Sequence, residues 1–193
     1  MMMQSKILST FQGQDFLSDN TDKIYIMDYT RQTDGDRGIE MSNIPPTDMD
    51  AFIIENNPQL EIAFCVFKDG TIKLSGETRE KSHCEGILFP ANNSDTTWIT
   101  FLELKYPKKK NLGRELKKAR EQLLSTLDLF REQKIIEEKR LVYLIFSAPK
   151  YTNSTPFENW SISPHKLKEI RKTKYAIMRG INNIKVISSK TLR

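Results

Sequence analysis

Thr97-Trp-Ile-Thr-Phe-Leu-Glu-Leu-Lys-Tyr106 decides how the rest of the chain is read. An apolar run rich in β-branched and aromatic residues predicts a buried strand. Near its end stand a carboxylate and an ammonium, Glu103 and Lys105, two positions apart. Side chains at i and i+2 leave a strand on the same face, so the two charges point together from one strand end. Leaving both unpaired inside an apolar sheet costs on the order of several kcal/mol. Either they satisfy each other as a strand-end salt bridge, or they open into a cleft.

Working upstream, His83-Cys-Glu-Gly-Ile-Leu-Phe89 is a second apolar strand with a carboxylate, Glu85, embedded in it. Pro90-Ala-Asn-Asn-Ser-Asp95 is turn chemistry, so Glu85 and Glu103 lie on successive strands within cross-strand reach. Before these, Glu61–Phe67, a Lys68-Asp-Gly70 turn and Thr71–Ser75 read as a hairpin. Pro45-Pro46-Thr47 opens a short predicted helix over Asp48–Glu55, with acids in its first turn. Residues 1–44 are polar, with one strand at Ile24–Met27 and loop elsewhere. Asp34-Gly-Asp-Arg-Gly38 lacks the later ligands of a calcium loop and reads as a turn.

Downstream, Leu112, Leu116, Ala119, Leu123, Leu127 and Phe130 form one apolar stripe at helical spacing, predicting a helix over 111–133 with Asn111 as its cap. Gln122 sits beside that stripe. Arg140–Phe146 is another buried strand, 150–162 a loop, Ser163-Pro164 the start of a helix to Met178, and Ile184–Ser188 the last strand. This order predicts an α/β protein with a mixed central sheet flanked by helices. An acidic N-terminal extension, 1–44, would precede one domain over 45–193.

The net charge of +5 conceals a segregation. Residues 1–62 carry 4 basic and 11 acidic side chains, whereas 108–120 carry 7 and 1, and 163–193 carry 9 and 1. Basic segments beside the charged strand end point to a polyanionic partner, unless they are simply solvated helix surface. No apolar run approaches the roughly 18 residues that cross a bilayer, and no secretory signal is visible. These features, with Cys65 and Cys84 read as small buried thiols, predict a cytoplasmic protein without a membrane partner. A zinc site is excluded by the lack of ligand spacing around His83 and Cys84. No phosphate-binding glycine loop and no convincing Ser or Cys nucleophile is present.

Two carboxylates and a lysine at a sheet edge beside a basic helix suit metal-assisted phosphodiester cleavage. Mg²⁺ takes one or two protein carboxylates and completes its shell with water and substrate phosphate. In that chemistry Glu85 and Glu103 hold Mg²⁺ or Mn²⁺, and Lys105 orients the attacking water or offsets developing charge.

Cys84-Glu-Gly-Ile-Leu-Phe-Pro90, then Phe101-Leu-Glu-Leu-Lys105, then a helix bearing Ala119-Arg-Glu-Gln122, resembles the PD-(D/E)xK nuclease superfamily, which includes many restriction endonucleases. The pattern there is an acid on one strand, Glu-x-Lys on the next, and a helix carrying a glutamine or basic residue into the site. The resemblance covers roughly residues 47–147 and implies a restriction-endonuclease-like core. It also implies metal ligands Glu85 and Glu103, catalytic Lys105, and Gln122 as the helix glutamine. Glu55 or Asp50 would match the acid that some members place on a preceding helix. Glu85 departs from the Asp usual at the first acid position. By analogy, the resemblance further implies a DNA endonuclease of restriction or anti-phage defence, with a homodimer or larger defence complex as partner. Lys108, Lys109, Lys110, Arg114, Lys117 and Lys118 would contact the DNA backbone, together with the basic C-terminus. The alternatives are a catalytically inactive nucleic-acid-binding or assembly subunit of the same fold, and an interaction module using the acidic N-terminal third.

Overall fold

The computed structural model describes residues 3–11, 13–30, 38–68, 72, 82–92, 96–151 and 162–193. The chain begins with helix α1 (Met3–Thr10) and strands β1 (Asp15–Asp19), β2 (Lys23–Asp28), β3 (Ile39–Ser42), β4 (Phe52–Glu55), β5 (Ile62–Val66), β6 (Gly86–Pro90) and β7 (Thr100–Leu104). A 3-10 turn, Lys109–Asn111, leads into helix α2 (Leu112–Glu132), followed by β8 (Val142–Ser147) and helix α3 (Pro164–Lys174). Strands β9 (Ala176–Gly180), β10 (Asn183–Ser188) and β11 (Thr191–Leu192) complete the order.

These strands form two mixed sheets, one of six strands in the order β1-β5-β6-β7-β8-β9 and one of five in the order β11-β10-β4-β2-β3. β5, β6 and β7 are an antiparallel meander, while β7, β8 and β9 run parallel. Parallel neighbours need a crossover, and α2 supplies it between β7 and β8. Alternation along the strands divides the six-stranded sheet between two cores. Cys65, Ile87, Phe89 and Phe101 face the helices, where they meet Ile7 of α1 and Leu123, Leu127 and Phe130 of α2. Phe64, Leu88, Leu102 and Ile145 face the other way, onto Ile24, Ile26, Phe52 and Ile54 of the second sheet. The layers are therefore helices, six-stranded sheet, five-stranded sheet. A strand buried on both faces reads as a continuous apolar run, which is why β6 and β7 stand out in the sequence.

Several expectations are corrected. Asp48–Glu55 does not form a helix: β4 occupies its second half, with Phe52 and Ile54 buried and Ile53 and Glu55 half-buried. That is a period of two, imposed by pairing with β2 on one side and β10 on the other, and it overrides the local acidic start signal. α3 ends at Lys174 rather than Met178. Tyr175 adopts the left-handed region at φ 39°, and Ala176 and Met178 are buried alternately as β9 pairs with β8. Asn111 holds the N-cap position of α2 without a side-chain capping bond, because its backbone (φ −100°, ψ −5°) is already helical. Ile184–Ser188 is not the last strand, since β11 turns back to pair Leu192 with Val186.

Both edges of β5 are taken, by β1 and β6. The turn and second arm expected to pair with it, 69–71 and 73–75, lie outside the described residues, as do 34–37 and 152–161. Residues 1–44 contain far more than one strand. They supply α1, which buries Met3 and Ile7 in the helical core, together with the edge strands β1 and β3 and the inner strand β2. Cys65 and Cys84 are free and buried. Among the described residues no helix is long and apolar enough to cross a membrane.

Candidate active site

The meander fixes the two glutamates. The last pair of β6 and β7 joins Gly86 to Leu102, and one step beyond it Glu85 stands opposite Glu103. The Glu85 backbone N–H donates to Glu103 Oε2 at 3.1 Å. Both side chains share the helix-facing side with Ile87 and Phe101. Lys105, one residue past β7, keeps the strand direction because its N–H donates to the Ser147 carbonyl at 2.9 Å. Its ammonium contacts Glu103 Oε1 and lies 3.6 Å from Glu85 Oε1. Side-chain exposure is 0% for Glu103, 11% for Lys105 and 22% for Glu85, so the trio opens outward through Glu85.

Neighbours hold this geometry from three directions. Gly86 lies so close to β5 that a Cβ there would collide with the Cys65 carbonyl and the Phe64 ring. The Phe67 N–H donates to the Glu85 carbonyl at 2.9 Å. From α2, Gln122 Nε2 donates to the His83 carbonyl at 2.7 Å. One turn later, Thr126 Oγ1 accepts the Cys84 N–H at 2.9 Å and donates to the Gln122 carbonyl at 2.8 Å. The helix thus clamps the backbone immediately before Glu85.

Burial dominates the electrostatics. It raises the Glu103 carboxyl to about 8, with the Glu85 charge acting in the same direction and Lys105 and the Glu85 N–H opposing. Two carboxylates and one ammonium carry a net negative charge if all are ionised, and the buried member is the one driven to take up a proton. Burial, then the Glu103 charge, pushes the Cys84 thiol far above its ordinary range, leaving it an unreactive packing group.

A cleft of about 570 Å³ opens beside Glu85 and Lys105, with Gln122, Lys118, Asp28 and Lys68 also in its lining. Asp28, at the end of β2, accepts from the Thr30 N–H at 2.9 Å and the Thr30 hydroxyl at 2.5 Å. A larger cavity of about 730 Å³ lies between the C-terminal ends of α2 and α3, among Asp128, Arg131 and Lys174. It contains none of the predicted site residues and has charges of both signs.

Of the sequence candidates, Glu85, Glu103, Lys105 and Gln122 come together here. Of the basic residues expected to meet the nucleic-acid backbone, only Lys118 lines the cleft. Lys108, Lys110, Arg114 and Lys117 are exposed outside it, Arg114 beside Glu115 at 3.3 Å, and the Lys109 side chain lies outside the described part. Asp50 and Glu55 sit on no helix and do not line the cleft; Asp50 offers its backbone carbonyl to the Tyr106 hydroxyl at 3.0 Å. Sequence reasoning missed Asp28 and Lys68, which no local pattern ties to β7. It also missed Thr126, which the i, i+4 spacing from Gln122 could have indicated.

Among the described residues no group of three or more His, Cys, Asp or Glu is placed to hold a metal ion. A divalent ion at this site would therefore rest on two glutamates and on water or substrate oxygens. The donor set suits a hard cation of that kind: both ligands are carboxylates, and one ammonium already reaches an oxygen of each. Comparison of the chain with family models, with curated proteins and with solved structures finds no match.

Proposed function

We propose that the chain is a divalent-metal-dependent nuclease of the PD-(D/E)xK type, hydrolysing phosphodiester bonds and acting as an endonuclease on DNA. The observation that carries this reading is Glu85 and Glu103 facing each other across adjacent strands, with the Lys105 ammonium in contact with Glu103 and within 4 Å of Glu85. Glu85 immediately before β6, Glu103 in β7 and Lys105 immediately after it support the reading. Bound between the glutamates, Mg²⁺ or Mn²⁺ would lower the pKa of a coordinated water and offset charge on the attacked phosphate. Glu103, fully buried at the sheet end, and Glu85, on the cleft wall, would hold the ion. Lys105 would orient the attacking water and stabilise the developing negative charge. Gln122 keeps Glu85 in place through the His83 carbonyl, and Lys118 meets the phosphate backbone at the cleft mouth.

Purified protein with Mg²⁺ or Mn²⁺ should nick or degrade DNA. Lys105→Ala should lose cleavage and retain DNA binding; a variant cleaving at the wild-type rate overturns the role of Lys105. A place in restriction or anti-phage defence rests on the resemblance alone.

One observation favours a second reading, a catalytically inactive nucleic-acid-binding or assembly subunit. Lys105 can satisfy both glutamates without any ion, and the first acid is Glu where Asp is usual. Calorimetry with Mn²⁺ separates the two. A working site binds the ion and loses it in Glu85→Gln and Glu103→Gln, whereas a lysine-filled site gives no heat in any of the three proteins.

A further inference from the structure

The helical layer carries a surface that the cleft does not use. α2 and α3 contribute to one core, which includes Leu123 and Leu127 of α2 and Ile170 of α3, with the half-buried Leu167 packed against it. α3 turns directly into β9 through Tyr175, and α2 crosses back from β7 to β8, so both helices run against the parallel strands. Their C-terminal ends are tied by the ion pair of Lys174 with Asp128 at 2.6 Å. α3 is 11 residues long, about 16 Å at helical rise. Lys118 precedes Asp128 by about 15 Å along α2 on the same measure. The start of α3 is therefore level with the stretch of α2 that edges the cleft.

Cations predominate along this level, with Glu121 on α2 and Glu169 on α3 as the acidic exceptions. On α2, Lys118 faces the cleft, while Lys117 and Arg120 project from the opposite flank, the side of α3. On α3, Lys168, Arg171 and Lys172 are exposed. Among the described residues none of these six side chains forms an ion pair, although Arg114, Lys166 and Lys174 each have an acidic partner. Unpaired cations side by side repel one another and hold counterions, and releasing those to a polyanion is favourable.

We infer that Lys117, Arg120, Lys168, Arg171 and Lys172 form a backbone-binding band for nucleic acid, continuous with Lys118, which holds the strand beyond the cleft. This rests on the nuclease reading for its partner but not for its measurement. The 16 Å length of α3 spans about five phosphates of one strand at 3.4 Å each. A membrane surface fits less well. Among the described residues the exposed large apolar side chains are Leu8, Ile44, Leu141, Tyr175 and Ile187; only Tyr175, at the C-cap of α3, borders the band, which leaves it little to insert among lipids.

The test is the salt dependence of binding to a labelled DNA duplex without divalent metal, for the wild type and the double variant Lys168→Gln/Arg171→Gln. Glutamine keeps helix propensity. The control is Lys185→Gln/Lys190→Gln, which removes two cations outside the band, one on β10 and one in the turn between β10 and β11. The band predicts that the slope of log K against log salt falls by about 1.8 in the first variant and stays unchanged in the control. An unchanged slope, or equal losses in both variants, overturns it. So does an effect confined to phosphatidylserine vesicles with DNA binding intact. Failure of cleavage in the wild type, with the slope change present, would remove only the nuclease reading.

Discussion

Glu103→Gln isolates the central electrostatic feature of the site. Glu103 is fully buried and its carboxyl is raised from 4.5 to about 8, chiefly because water cannot reach the anion. Below about pH 4.5 the carboxyl is neutral in both folded and unfolded chains and costs nothing. Between 4.5 and 8 the folded state binds more protons than the unfolded one, so stability falls as pH rises, and the loss is complete above about 8. An interval of about 3.5 pH units at about 1.36 kcal/mol each makes the loss at most roughly 5 kcal/mol, comparable to the whole stability of many domains. Glutamine has nearly the same shape and cannot ionise. Urea midpoints from about pH 5 to about pH 9 should fall for the wild type, and the gap to the variant should close toward the acid end. Mn²⁺ should flatten the wild-type curve at alkaline pH, because a cation reverses the penalty on the anion, and should leave the variant curve unmoved. Parallel curves for the two proteins would refute the reasoning, since they would mean that Glu103 ionises as freely in the fold as in the unfolded chain.

Thr126→Val should cost about 1–3 kcal/mol in denaturant unfolding, because the Cys84 N–H is left buried without an acceptor. Thr126→Ser should restore both stability and Mn²⁺ affinity, and a valine variant of full metal affinity would show that the clamp does not position Glu85. Gly86→Ala should destabilise by about 1–3 kcal/mol, as overpacking does, because its methyl group meets the Cys65 carbonyl and the Phe64 ring. Unchanged unfolding in that variant would mean that β5 and β6 separate more easily than their register indicates.

The site was legible where chemistry and local geometry coincide. Glu103 and Lys105 follow from an i, i+2 spacing on a strand, and Glu85 follows because a short turn between two apolar runs makes them antiparallel neighbours. The stripe of α2 survives intact because all its apolar residues face one core. What failed was non-local. β4 carries the start signal of a helix, and only its pairing with β2 and β10 makes it a strand. β1 and β3 are edge strands with half their surface in water, so their polar composition resembles loop. The end of α3 was overrun because nothing local marks the left-handed Tyr175, a position where glycine is usual. With the second sheet unforeseen, Asp28 could not be placed in the cleft.

The arrangement around Glu85 says why these three ionisable groups are worth keeping. A salt bridge at a strand end needs only two side chains and open solvent, and it contributes about 0–1 kcal/mol there. Here the second carboxylate adds repulsion, and burial drives one partner toward neutrality; apolar side chains in the same space would commonly be as stable or more so. Yet the backbone around Glu85 is fixed by Phe67 just past β5, by Gln122 and Thr126 from α2, and by the bare Cα of Gly86. Contacts that orient a destabilising group, and leave its outer edge open to a cleft, make sense if the missing charge arrives from solution. A divalent cation is the species that would convert the repulsion between Glu85 and Glu103 into attraction, and it would free Lys105 to face whatever anion the cleft admits.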